Sequence, residues 1–132
     1  MFYQHTSHDI TIRVEVDYVP PEAHGHDDGR YVWAYHITLS NEGDRRVQLQ
    51  TRHWTITNGL GHVDHVDGPG VVGETPILNP HESFSYSSGC PLSTPSGTME
   101  GYYMFEDETG QALKVIIPTF SLDLPDAGRV LN

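Results

Sequence analysis

Three groups of residues have types and spacing that could do chemistry. GPGVVG, from Gly68 to Gly73, fits G-x-G-x-x-G, whose glycines let a backbone approach a pyrophosphate at a helix N-terminus. Histidines beside carboxylates form further groups: His24 and His26 with Asp27 and Asp28 in HGHDD, His62 and His65 with Asp64 in GHVDH, and His5 with His8. Imidazole and carboxylate suit zinc, cobalt or nickel. Ser87, Ser88 and Cys90 in SSGC supply hydroxyl and thiol groups that a neighbouring base could activate.

Each chemistry requires elements to position it. A dinucleotide loop must follow a strand and open a helix, yet ETPILNP follows here, and Pro76 and Pro80 do not fit inside one. Pro69 removes a donor, and Asp64, Asp67, Glu74 and Glu82 surround the motif with negative charge. A bare backbone nest can still hold an anion, so Gly68, Gly70 and Gly73 stand as a candidate anion loop. The competing reading is architectural, with glycines supplying positive φ angles and close packing. No histidine pair has the i, i+4 spacing of a zincin, and no Cys-x-x-Cys occurs, so His24, His26, His62 and His65 read first as solvated polar residues. SSGC is not a nucleophile elbow, and Cys90 reads as a small apolar residue. Glu106 sits beside the DETG turn and Glu108 within it, where solvation explains them. No catalytic constellation and no cofactor are expected.

The bulk composition narrows the partners. Seven Lys and Arg against 18 Asp and Glu give a formal charge of −11 over 132 residues. That balance disfavours nucleic acid, whose binding draws on Lys and Arg to neutralise phosphates, and anionic membrane surfaces. No apolar run approaches the roughly 20 residues of a membrane span. MFYQHTSHDI lacks the basic and apolar regions of a signal peptide, and the single cysteine suits a reducing compartment. The expected location is cytoplasmic.

The dominant periodicity is two. Ile10, Ile12, Val14, Val16 and Tyr18 alternate with polar residues, the pattern of a half-buried strand. PPEAHGHDDG reads as an exposed loop. RYVWAYHITLSN places Tyr31, Trp33, Tyr35, Ile37 and Leu39 on one face, and RRVQLQTRHWTITN returns as its partner. There the apolar parity changes from Val47 and Leu49 to Trp54 and Ile56, which predicts a β-bulge near Arg52 and His53. Further strands are expected at 63–66, 82–88, 98–106 and 112–122, with Pro118 marking an edge, bulge or bend. Trp33, Trp54, Tyr102, Tyr103 and Phe105 read as core, with one or two free to serve as a surface anchor. Short strands at this spacing predict an all-β antiparallel sandwich forming one domain over 1–132, with a core from about 9 to 124 and a frayed tail at 125–132.

RYVWAYHITLSN, VQLQTRHWTITN, the long block from Gly68 to Phe105 and IPTFSL together resemble the ApaG family, over nearly the whole chain. The resemblance implies an immunoglobulin/fibronectin type III-like sandwich. It further implies a bacterial protein without an established catalytic mechanism, related to protein-interaction modules and linked to cobalt and magnesium efflux. Thr75 stands where the family often has Gln, and His81 where Gly is usual. The favoured function is a non-enzymatic binding module for a protein partner. The alternatives are a nucleotide- or pyrophosphate-binding protein using Gly68–Gly73, and a divalent-cation sensor. The sequence sets neither the partner nor the oligomeric state.

Overall fold

A computed structural model describes residues 2–24 and 29–125, apart from the side chains of Glu22 and His24. Alternation becomes nine strands: β1 Tyr3–Ser7, β2 Ile10–Val19, β3 Tyr31–Asn41, β4 Val47–Asn58, β5 Val63–Pro69, β6 Ile77–Leu78, β7 Ser83–Leu92, β8 Gly97–Asp107 and β9 Ala112–Leu122. They form two antiparallel sheets, ordered β1-β2-β3-β7 and β5-β4-β8-β9, with β6 beside the start of β4. The apolar faces meet in one core, so the chain is an all-β antiparallel sandwich. Trp33, Tyr103, Phe105 and Phe120 are its largest fully buried side chains.

Two strands leave no mark in the sequence pattern. YQHTS, in β1, has no apolar alternation because only Tyr3 and Ser7 are partly covered. It joins β2 through a two-residue turn in which His8 and Asp9 take φ of 51° and 62°, values rarely adopted by non-glycine residues. The other, β6, is two residues long, too short for any period to register. PPEAH also departs from the expected loop: Pro21–His24 makes one helical turn, α1, with a proline at its first position. The remainder of HGHDD lies outside the described residues, as does 126–132 of the expected tail.

The bulge in β4 is present but lies earlier than Arg52. Leu49 pairs with Phe105 and Thr51 with Met104, leaving Gln50 as the extra residue. Parity alone leaves the insertion free anywhere between Leu49 and Trp54, so the sequence located it only to that window. A second shift sets Glu100 of β8 against Pro118 and Thr119 of β9. It carries the apolar series from Leu113, Val115 and Ile117 to Phe120 and Leu122, all buried. Pro118 therefore sits both in an edge strand and in a bulge, where its missing N–H leaves no ladder bond unmade.

Between the sheets, Tyr86 of β7 and Tyr103 of β8 join hydroxyls at 2.5 Å. Burial pushes both phenols up, so both remain protonated at neutral pH. Cys90 is buried beside β3, and burial pushes its thiol up to about 11. It is a core residue, held away from nucleophilic chemistry.

Candidate functional site

The glycine loop is built by β4 and its edge. Gly68 and Pro69 still belong to β5, opposite Arg52 and Thr51. At Gly70 the chain turns away with φ of 61°, and Val71 and Glu74 then close a two-residue hairpin by mutual backbone bonds of 2.8 Å. Its central residues, Val72 and Gly73, take φ of 43° and 81°, the left-handed pair that such a turn demands. Val71 is buried and anchors the loop to the core.

Most groups that an anion would need are already engaged. Gly70 N–H donates to the carbonyl of the bulged Gln50 at 2.9 Å, and Val71 and Glu74 donate to each other. The guanidinium of Arg52 lies under the loop and donates at 2.9 Å to the carbonyls of Pro69 and Gly70. No helix follows, since Ile77 and Leu78 continue as β6 along β4. The glycines allow one backbone to approach another: a Cβ at Gly70 would lie 2.2 Å from the Glu74 carbonyl oxygen.

On the outward face of the same sheet a row of side chains crosses the strands. His65 of β5 and His53 of β4 stack with ring centroids 5.7 Å apart, and His53 stacks on Tyr102 of β8 at 4.9 Å. The Lys114 ammonium of β9 lies 4.3 Å from the centre of the Tyr102 ring, within cation–π range. Asp67 bonds His53 Nδ1, and Thr55 meets His65 Nδ1 at 3.2 Å. Below this row His53, Thr55, Glu100, Tyr102, Ile116 and Thr119 line a shallow depression of about 290 Å³. Ile116 is 38% exposed there, an apolar surface among polar neighbours. Register explains the row, since Asp67, His53 and Tyr102 are directly opposed across three strands.

A larger depression of about 550 Å³ lies between Ile77 and the DETG turn. Two of its three carboxylates, Asp107 and Glu108, are committed to structure. Asp107 Oδ1 accepts from the N–H and hydroxyl of Thr109 and from Gln111 N–H, and Glu108 accepts from Arg46 N–H. The Thr109 hydroxyl, the Thr109 and Gln111 amides and the Arg45 guanidinium hold the Asp107 carboxyl below the usual range. Solvation therefore does not fully describe this turn: Glu108 caps Arg46, and Asp107 organises the loop.

The histidine groups disperse. Asp64 and His65 point to opposite faces of β5; His62 turns to Asp64 at 3.4 Å, while His65 joins the outward row. The His24 side chain and His26 lie outside the described residues. Among those described, no three His, Cys, Asp or Glu side chains gather as a metal-binding group. Of the five aromatics expected in the core, Trp33, Trp54, Tyr103 and Phe105 are buried, and Tyr102 instead occupies the outer face. His53, Asp67 and Lys114 share no local motif with Tyr102, and only strand register brings them together.

The other sheet carries a line of the same kind. His36 Nδ1 meets Ser87 Oγ at 2.6 Å, and its Nε2 meets Asp17 Oδ2 at 3.2 Å. The residue types are those of a nucleophilic triad, but the line lies on an open strand face, with the His36 and Asp17 side chains 44% and 74% exposed. Water reaches these groups freely, unlike the excluded site in which preorganised donors stabilise an oxyanion.

The architecture defines a small antiparallel sandwich protein with its exposed chemistry on strand faces and in a strand-end loop. Residues 21–107 match the ApaG domain. Similar relatives are Protein ApaG of Sinorhizobium fredii, 51% identical over 98% of this chain and 99% of its own, and Protein ApaG of Rhizobium meliloti, 50% identical with the same coverage. Among solved structures, the putative ApaA protein of Bordetella pertussis superimposes with a TM-score of 0.83 at 44% identity, covering 89% of this chain and 94% of its own. The chain belongs to the ApaG family. No helix among the described residues is long and apolar enough to cross a membrane.

Proposed function

We propose that the protein is a non-enzymatic binding module that docks a protein partner on the outer face of the β5-β4-β8-β9 sheet. The observation that carries this reading is Tyr102, an aromatic ring fixed on the surface between His53 and Lys114 with Ile116 beside it. A rigid aromatic next to apolar and charged groups is the usual composition of a binding hot spot. The sandwich order, with β5 beyond β4 on the larger sheet, supports the fibronectin type III-like subtype implied by the family resemblance. The family-level link to cobalt and magnesium efflux then acts through the bound partner, in the cytoplasm. An affinity capture from native cytosol tests this reading with wild-type protein beside a Tyr102→Ala, Lys114→Ala variant. A stoichiometric partner held by the first and lost by the second supports it. Equal capture by both removes the outer face from the binding surface.

A further inference from the structure

Among the described residues four main strand edges border the sandwich, and three are protected. The edges of β1 and β9 lie together, with Ile116 N–H donating to Ser7 Oγ at 3.1 Å and Ser121 N–H to the Tyr3 hydroxyl at 3.4 Å. On the opposite side β5 carries Asp64, His65 and Asp67 and ends on Pro69, devices that discourage strand addition. The fourth edge, β7, is ten residues long, SFSYSSGCPL, with no charged residue. Among the described residues it pairs only with β3, and the register runs from Ser83 to Leu92 without a bulge. Its one guard is Pro91, near the end.

We infer that β7 is a self-association edge, pairing antiparallel with β7 of a second copy to join the two four-stranded sheets into one. Charge favours this place over others. Each copy has a formal charge of −11, so two copies can meet closely only where like charges are absent, and this strand is such a place. The outward residues are self-complementary. Ser83, Ser85 and Ser87 already form hydroxyl or imidazole bonds of 2.9, 2.9 and 2.6 Å to Ser40, Thr38 and His36 of β3. A two-fold axis at Ser85 or Tyr86 brings serine opposite serine across the new seam and extends that polar ladder. It also keeps Pro91 outside the central pairs. This surface is separate from the outer face holding Tyr102, so either proposal can fail alone.

Sedimentation equilibrium of the full chain from about 10 μM to about 1 mM tests the inference, a range suited to a small strand-mediated contact. The average mass should rise from 14.8 kDa toward twice that value. Raising salt should tighten association by screening the repulsion between the two acidic copies. Ser85→Lys places two cations at the seam on a solvent-facing position and should weaken association ~100-fold, whereas Ser85→Thr should retain it. Amide exchange on β7 should slow at high concentration and not on dilution. A mass of 14.8 kDa throughout, or association undiminished in a folded Ser85→Lys protein, overturns the inference.

Discussion

Replacing Gly70 by alanine separates the two readings of the glycine motif. The new Cβ would lie 2.2 Å from the Glu74 carbonyl oxygen, so that oxygen must retreat by ~0.8 Å to reach even the shortest contact real Cβ atoms make. The same oxygen accepts the Val71 N–H at 2.8 Å, and a retreat of that size stretches the bond beyond hydrogen-bonding distance. Losing it costs about 1 kcal/mol. Holding alanine at φ of 61° adds ~1–2 kcal/mol. The stiffer unfolded chain returns about 0.5 kcal/mol, leaving a net loss of about 2 kcal/mol. Gly73→Ala is the control, since its φ is also positive, at 81°, yet its Cβ would meet nothing within 4 Å. Only the conformational contribution applies there, about 1 kcal/mol net. Urea unfolding followed by the fluorescence of Trp33 and Trp54 reads both losses. With a slope of about 1.5 kcal/mol per molar, the midpoint falls by ~1.3 M for Gly70→Ala and ~0.7 M for Gly73→Ala. Equal midpoints for the two variants would refute the steric account of Gly70.

His81 holds φ of 71° with an exposed side chain, so His81→Gly should relieve backbone strain. After the greater entropy of unfolded glycine is subtracted, a gain of ~0.5 kcal/mol and a rise of about 2 °C in calorimetric Tm are expected. The Tyr86–Tyr103 hydroxyl pair should behave as one unit: Tyr86→Phe or Tyr103→Phe alone costs about 1–2 kcal/mol by orphaning the other hydroxyl, and the double change costs less than the sum in a urea double-mutant cycle. Asp107 should contribute stability above its unfolded pKa of about 3.9 and lose that contribution as pH falls through its lower folded value. The difference in Tm between wild type and Asp107→Asn should therefore be steady at neutral pH and shrink under acid; a difference that grows below pH ~4 would contradict the hydrogen-bond account.

Where one face of a strand is buried, the sequence reports it well. Trp33, Tyr35, Ile37 and Leu39 alternate because each must reach the core, and the parity change after Leu49 required an inserted residue. The same physics hides β1, whose faces are both largely solvated, and leaves no signal in a two-residue β6. It also leaves the insertion movable within its window. Gln50 is selected by what the loop needs, an available carbonyl for Gly70, and that is a tertiary requirement.

The glycine motif and the outward row show the two limits of local pattern. G-x-G-x-x-G records where a backbone needs freedom, and here Glu74, Gln50 and Arg52 supply the reason for it. Nothing in six letters distinguishes a backbone carbonyl from a phosphate as the close neighbour; the prolines that follow do, by ruling out the helix. The row of His65, His53, Tyr102 and Lys114 has the reverse character, because its members are scattered over four strands and meet only through register. Such a site acquires sequence meaning only once the pairing is known, as His53 faces Asp67 across one ladder and Tyr102 across the other. The pattern most legible as a motif is therefore taken up by backbone contacts within the fold, while the proposed contact surface is written in residues that no spacing rule connects.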